Sequence, residues 1–163
     1  MKWRMLLLWA TAFIIIAWTG WLVVQNERLL AAGKPVLIEL APVDPRSLIQ
    51  GDYMRLRYNL AIEDSSDWPT GGTLVATLDG RGVVQATRLY DGQQTLGSNE
   101  QLLRYHTRDM AILIGAESYL FQEGSASIYE TARYGELRAA SDGTSLLVGL
   151  RDDQLRPLGK PAP

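Results

Sequence analysis

The fold of this chain is decided by the stretch Gly51-Asp52-Tyr53-Met54-Arg55-Leu56-Arg57-Tyr58. Its side chains alternate in character, with Tyr53, Arg55 and Arg57 on one side and Met54, Leu56 and Tyr58 on the other. This period of two is typical of a strand with one buried face. The Gly-Asp pair that opens the stretch supplies turn chemistry. We therefore predict that the chain turns at this pair and continues as a strand over residues 52–60.

A second stretch, Met5–Val24, contains 20 residues without a formal charge. At about 1.5 Å per residue, a helix of this length spans roughly 30 Å, the thickness of the hydrocarbon core of a bilayer. The alternative is a cleaved secretory signal, whose apolar region covers only about 7 to 15 residues. We predict an uncleaved signal anchor over residues 1–24 and a juxtamembrane linker over residues 25–35. The helix should extend to about residue 32, because Gly33 and Pro35 stop it.

The charges around this segment predict its orientation. Lys2 and Arg4 precede it, whereas Glu27 accompanies Arg28 directly after it. The positive-inside rule then places the N-terminus in the cytoplasm and the main domain outside. Beyond Val24 the chain holds 14 Lys and Arg against 18 Asp and Glu, a net charge of −4. A nucleic-acid partner is not expected, because such binding uses a dense basic surface.

The residue types also limit the possible chemistry. The chain has no cysteine and a single histidine, His106. Disulfides, cysteine nucleophiles and metal sites built from thiolates or several histidines are excluded. His106 lies in a polar stretch between Arg104 and Arg108, and we interpret it as a solvated residue. We expect no cofactor and no metal site.

Residues 36–151 are predicted to form a mainly β outer domain, a small barrel or a sandwich. Runs of β-prone residues between turn signals indicate about seven strands, over residues 36–41, 52–60, 73–78, 83–89, 111–122, 135–140 and 144–150. Residues 111–122 form either one strand or two strands with a break at Gly115-Ala116. Asp79–Gly82 and Ser141–Gly143 are typical of hairpin turns. Short helices are predicted over residues 99–105 and from Ser125. Residues 152–163 are predicted to be a polar, disordered tail.

The motif stretch carries a family resemblance. It spells G-D-Y-x-x-L-x-Y and, with residues 43–48 before it, resembles the GDYXXLXY family of bacterial proteins. Residues 118–124, followed by Tyr129 and Glu130, match a second family segment, although Gln122 replaces the usual proline; residues 146–151 match a third. The resemblance implies a single-pass protein of the bacterial inner membrane with a periplasmic domain. Family members are often encoded beside multi-pass membrane proteins, so the resemblance also suggests a multi-pass partner. The family is defined by a motif, which implies no mechanism.

Polar side chains concentrate at the entry to the motif strand. The candidate ligand or partner contacts are Asp44, Arg46, Asp52, Tyr53, Arg55, Arg57 and Tyr58, with Glu123 and Glu130 if the second segment folds against the first. In a structural interpretation the carboxylates cap backbone N–H groups or pair with arginines, and the tyrosines pack. In a functional interpretation the arginines bind a carboxylate or phosphate group.

No set of catalytic residues emerges from these patterns. Ser47 is the serine nearest the motif, and Lys34 and Lys160 lie outside the apolar strands where burial would activate a lysine base. Paired carboxylates drawn from Asp44, Asp52 and Glu123 show no spacing that requires catalysis. We predict a non-enzymatic accessory or interaction domain for an integral-membrane or envelope partner, with an exposed Trp68 as a further contact. The alternative is a small-ligand binder or hydrolase around Asp44, Arg46, Asp52 and Glu123.

Overall fold

The computed structural model describes residues 2–41, 53–60, 68–108, 111–122 and 124–159 of the 163-residue chain. Within these ranges the elements follow in the order α1 (Lys2–Ala32), β1 (Lys34–Glu39), β2 (Tyr53–Arg55), β3 (Gly71–Leu78), β4 (Val84–Leu89), β5 (Glu100–Arg108), β6 (Ala111–Ile114), β7 (Ser118–Leu120), α2 (Ala126–Tyr129), β8 (Tyr134–Ala139), β9 (Ser145–Arg151) and β10 (Pro157–Leu158). The prediction of one N-terminal apolar helix followed by a mainly β domain is confirmed. The described residues form ten strands rather than about seven, because several are only two to four residues long.

Helix α1 is a single helix of 31 residues. Its stretch Trp3–Ala32 is long and apolar enough to cross a membrane, and its most apolar window is not buried against the rest of the protein. The helix ends where predicted, at Ala32. Its last turn is closed by a hydrogen bond from the Gly33 N–H to the carbonyl of Leu29 at 2.9 Å. A Cβ at Gly33 would collide with that carbonyl oxygen, which explains the glycine. Because β1 starts at Lys34, Gly33 is the one residue between helix and strand, and the juxtamembrane residues 25–35 comprise the end of α1, Gly33 and the start of β1.

The strands form antiparallel sheets that wrap a common core as a half-barrel. One sheet has the order β1-β8-β9-β10, a second has the order β4-β3-β5-β6, and β2 pairs with β7. The two predicted hairpins are confirmed as β3–β4 and β8–β9. The first two sheets meet where Leu37 donates to the Gly82 carbonyl at 2.8 Å and Arg104 donates to the Gly143 carbonyl at 2.8 Å.

The core lies between these sheets. Its largest fully buried members come from both large sheets: Val36, Ile38, Leu74, Leu103, Ile114, Leu137 and Leu150. The motif strand adds Met54, Leu56 and Tyr58, which are 4%, 2% and 9% exposed. Burial of each aliphatic side chain of this size contributes roughly 1.5–3 kcal/mol. The motif strand is therefore part of the core that both large sheets share.

The β domain has two distinct ends, set by the direction of β1. Lys34, at the start of β1, pairs with Ala139 beside the end of α1, and the β3–β4 and β8–β9 turns lie at this helix-proximal end. At the other end, Leu40 forms a β-bridge with Tyr58 of the motif. Six residues of extended strand separate these points, a distance of about 20 Å. The motif therefore lies at the end of the domain away from α1.

The prediction of a helix over residues 99–105 is wrong, because this segment belongs to β5. Along β5 the side chains of Gln101, Leu103 and Tyr105 are buried, whereas Arg104 and His106 are exposed. This is the period of a strand. The polar residues conceal it in the sequence, but they lie on the outer face of a central strand that pairs with both β3 and β6.

Two further expectations differ from the structure. Residues 152–159 are part of the fold rather than a tail: β10 pairs with β9, and the buried Asp152 carboxylate accepts hydrogen bonds from the backbone of Gln154 and Arg156 at 3.0 and 2.8 Å. Burial acts to raise the pKa of Asp152, but the hydrogen bonds from Arg156 and Gln154 outweigh it and hold the pKa below its ordinary value. Residues 160–163 lie outside the described ranges.

Trp68 is half-buried rather than freely exposed. It packs against the core, with its ring centroid 5.3 Å from that of Tyr105, whose hydroxyl donates to the Pro69 carbonyl at 3.3 Å. The polar residues around it in the sequence concealed this packing. Trp68 is therefore a structural residue at the start of β3 rather than a free contact.

Candidate functional site

The structure places five of the nine predicted site residues. Tyr53, Arg55, Arg57, Tyr58 and Glu130 belong to the described part of the chain. The other four, Asp44, Arg46, Asp52 and Glu123, lie outside it. A pocket shared by the segment before the motif and the Glu123 segment therefore stays a prediction.

The motif strand separates its side chains as the sequence predicts. Met54, Leu56 and Tyr58 face the core, whereas Tyr53, Arg55 and Arg57 are exposed. Tyr53 retains 40% of its surface. Only the outer-facing half of the motif can contact another molecule without disturbing the core.

Strand β7 completes this outer surface. In the register of the β2–β7 pair, Tyr53 lies opposite Leu120 and Arg55 lies opposite Ser118. Leu120 is 75% exposed, although it is a large apolar residue. The outer surface therefore presents an apolar pair, Tyr53 and Leu120, directly beside a guanidinium group.

A groove of about 390 Å³ lies along this surface. It is lined by Tyr53, Arg55, Leu56, Arg57, Arg108, Leu113, Glu117 and Ser118, and we call it the motif groove. Among the described lining residues there are three arginines and one carboxylate, so this part of the lining carries a positive formal charge. Within the described residues, Arg55 and Arg57 have no carboxylate within 4.0 Å. The groove is thus suited to an anionic group.

Glu117 fixes the position of the third arginine. Its two carboxylate oxygens lie 3.5 Å from Arg108 Nη1 and 3.4 Å from His106 Nε2. Its backbone carbonyl accepts a hydrogen bond from the Leu56 N–H at 3.0 Å. All three polar side chains are about half exposed, so solvent screens the ion pair and its contribution to stability is small. The role of Glu117 is to join the motif to the outer face of β5.

Tyr58, the last residue of the motif, has a different environment from Tyr53. Its hydroxyl donates to the carbonyl of Ala116 at 3.2 Å, and its ring lies against Gly135 of β8. Burial raises the pKa of Tyr58 far above its ordinary value, so the hydroxyl stays protonated and remains a donor. Tyr58 is therefore architectural, and it ties the motif to the break between β6 and β7.

Glu130 directly follows the single-turn helix α2 and is exposed. The neighbouring Tyr129 packs on Tyr119 and Phe121, at ring-centroid distances of 5.3 and 5.0 Å. Tyr119 pairs with Met54, so the second family segment does fold against the motif. Its aromatic residues make this contact, whereas Glu130 is not among the described residues that line the motif groove.

Sequence reasoning missed four residues of this surface: Arg108, Glu117, Ser118 and Leu120. The predicted break at Gly115 was the one signal in the sequence that pointed to them. A break there allows the next strand, β7, to change direction and pair with β2. The helix predicted over residues 99–105 hid the position of Arg108, because the pairing of β5 with β6 places this arginine near Glu117.

The described part of this surface is arranged for binding. The His106 imidazole contacts Glu117 rather than the Ser118 hydroxyl, so the structure pairs this serine with no base. The described residues also include no group of three or more His, Asp or Glu side chains that could hold a metal ion. Exposed arginines beside a tyrosine and a leucine can bind carboxylate or phosphate groups and pack on an apolar contact.

Comparison with known proteins identifies one family. The sequence model described as "GDYXXLXY protein" matches residues 15–150 of the chain. No curated protein and no solved structure gives a match. The matched range begins within α1 and includes both segments of the motif groove.

The two motif tyrosines should respond differently to loss of the hydroxyl. Tyr58→Phe removes the hydrogen bond to the partly buried Ala116 carbonyl and should lower the free energy of unfolding by about 1 kcal/mol. Tyr53→Phe, the matched control on the exposed face, should change it by less than about 0.5 kcal/mol. Denaturant unfolding of the full chain in detergent, followed by tryptophan fluorescence, measures both. Equal destabilisation by the two substitutions would contradict the assignment.

Proposed function

The chain belongs to the GDYXXLXY family, and from this premise and the geometry of the motif we propose that it is a single-pass membrane protein whose β domain binds a partner. The domain acts as a non-enzymatic accessory. The partner is an integral-membrane protein, of the multi-pass type, that presents an acidic segment on the outer side of the membrane. The motif groove, in which Arg55 and Arg57 have no ion pair with a described carboxylate, is the observation that carries this proposal.

Helix α1 supports the membrane anchor. Its apolar stretch does not pack on the β domain, so outside a bilayer it would expose a large apolar surface to water. Lys2 and Arg4 on one side of the stretch, against the Glu27 and Arg28 pair on the other, favour a cytoplasmic N-terminus. The β domain then lies in the periplasm, and the protein is anchored in the inner membrane.

The position and composition of the motif groove support the partner. The groove lies at the end of the domain away from α1, so a partner must extend beyond the bilayer surface to reach it. Tyrosine and arginine are enriched where proteins bind one another. The exposed Leu120 supplies an apolar contact, and Arg55 and Arg57 supply the charge that an acidic segment complements.

The rival function is a small-ligand binder or hydrolase. Its predicted residues Asp44, Arg46, Asp52 and Glu123 lie outside the described ranges, and the described groove contributes one carboxylate, Glu117. Acid–base hydrolysis by paired carboxylates needs a second one within reach of the same substrate. A small anionic ligand would bind the same arginines as an acidic segment of a partner protein. The two proposals therefore differ in whether a small anion can occupy the groove in place of that segment.

The anchor and its orientation are tested by cysteine labelling. The chain has no cysteine, so Arg81→Cys introduces a unique thiol at a side chain that is 71% exposed. In spheroplasts a membrane-impermeant maleimide should label this thiol, whereas a cysteine in an N-terminal tag should react only after lysis. The protein should stay in the membrane pellet after an alkaline carbonate wash. Labelling of Arg81→Cys only after lysis, or a mature protein that lacks α1, would overturn the proposal.

The partner is tested by site-specific photocrosslinking in native cells. A photoreactive phenylalanine analogue at Tyr53 should give a discrete adduct with an integral-membrane protein. The double charge reversal Arg55→Glu and Arg57→Glu should reduce this adduct by about tenfold or more, because like charges then face each other. Arg81→Glu, an exposed arginine outside the groove, is the matched control and should leave the adduct unchanged.

An adduct that survives the double reversal would contradict recognition through the motif groove. If a small anion such as phosphate abolishes the adduct while the membranes are otherwise unchanged, the anion competes for the groove, and this result would favour the small-ligand alternative. The thermal midpoint of each variant, measured in detergent, shows that the substitutions leave the fold intact.

A further inference from the structure

A second cavity, of about 610 Å³, lies at the helix-proximal end of the domain. One wall is the last two turns of α1, and the other is the β8–β9 turn with the neighbouring part of β5. We call this cavity the junction cleft. It is separate from the motif groove, with which it shares no lining residue.

The position of the junction cleft relative to the bilayer follows from its place on the helix. Arg28 lies four residues beyond Val24, the end of the apolar run, which is about 6 Å along the helix axis. The headgroup layer on each side of a bilayer is roughly 5–7 Å thick. When α1 spans the membrane, as proposed above, the Arg28 side of the cleft lies at the level of the lipid phosphates.

The lining of the cleft matches the chemistry of a phospholipid headgroup. Arg28 and Lys34 supply two cations, and the Ser141 hydroxyl lies on the opposite wall. Asp142 is the one acidic residue among the described lining residues, and it is already occupied: it pairs with Arg104 at 2.9 Å and accepts a hydrogen bond from the Thr144 hydroxyl at 2.9 Å. Guanidinium, ammonium and hydroxyl donors are the groups that bind phosphate oxygens.

The two cations differ in how they are held. The Lys34 ammonium donates to the Glu100 carbonyl at 3.4 Å, which keeps it against the wall of β5. Arg28 is exposed on the helix and has no ion pair with a described residue. A ligand phosphate would give the Arg28 guanidinium its counter-charge and connect it to the β domain.

We propose that the junction cleft binds the phosphate group of an anionic phospholipid of the outer leaflet. The inference rests on the proposed insertion of α1 and extends it, since it names the lipid that holds the β domain on the membrane surface. Together with Gly33, the one residue between α1 and β1, such a lipid would fix the angle between the helix and the domain.

The test uses the full chain in detergent, titrated with dihexanoyl-phosphatidylglycerol and analysed by native mass spectrometry. The wild-type protein should bind one lipid per chain. The double variant Arg28→Gln and Lys34→Gln should bind it at least about tenfold more weakly, because both charge-assisted contacts are lost. Arg81→Gln is the matched control: it removes an exposed arginine of the β3–β4 turn at the same end of the domain, and it should bind like wild type.

Unchanged lipid binding in the double variant would overturn the proposal, as would wild-type protein that binds no lipid. Displacement of the lipid by an equal concentration of sodium phosphate would show a site for free phosphate, which also overturns it. If Lys34→Gln disturbs the fold, Arg28→Gln alone decides, because this exposed side chain has no ion pair or hydrogen bond with a described residue. The Arg28 and Lys34 variants, each carrying Arg81→Cys, are also labelled with maleimide in spheroplasts. Normal labelling together with lost lipid binding is a loss of this site alone, whereas labelling only after lysis is a failure of the anchor.

Discussion

The burial of one face of a short strand is the constraint on which the rest of this structure depends. Met54, Leu56 and Tyr58 fill the space between two larger sheets, and this pins the strand to β7 on one edge and to the end of β1 on the other. A slip of one residue would turn three polar or charged side chains into the core. Because that cost is large, the opposite face must present Tyr53, Arg55 and Arg57 outward. The motif therefore determines both the core and the chemistry of the surface above it.

This arrangement gives the domain a polarity. At one end α1 continues into β1 through a single glycine, and the β8–β9 turn lies beside the end of the helix. At the other end, about 20 Å away along β1, the motif groove carries Arg55 and Arg57, whose charges no described carboxylate balances. Under the proposed function, a domain fixed at one end that presents these two arginines at the other would hold a partner at a set height above the membrane. The proposed lipid in the junction cleft would make that height and angle more definite.

The sequence predicted those parts of the fold that local physics determines. Strict alternation located the buried face of the motif, Asp-Gly turns located both hairpins, and Gly33 with Pro35 located the end of the apolar helix. It failed where tertiary contacts override local appearance. The polar residues of β5 suggested a helix because their partners, β3 and β6, are distant in sequence. The polar composition of residues 152–159 suggested a tail, whereas pairing of β10 with β9 makes them part of the fold.

The candidate site shows the same division. The exposed half of the motif was recognisable from its period, whereas Arg108, Glu117 and Leu120 join it only through strand pairing. Tyr53 and Tyr58 look equivalent in the sequence, yet Tyr53 faces solvent, whereas Tyr58 is buried and donates to the carbonyl of Ala116. Family membership points to these residues without saying which of them maintain the fold. The geometry makes that distinction, because side chains on the two faces of one strand cannot exchange environments.

The alternation of the motif is tested most directly by thiol accessibility along the strand. Since the chain has no cysteine, each residue from 53 to 58 can be replaced singly by cysteine and exposed to maleimide in native membranes. The account predicts fast labelling at positions 53, 55 and 57, and labelling at least about tenfold slower at positions 54, 56 and 58, where reaction requires local opening. Uniform labelling, or fast reaction at the even positions, would contradict it.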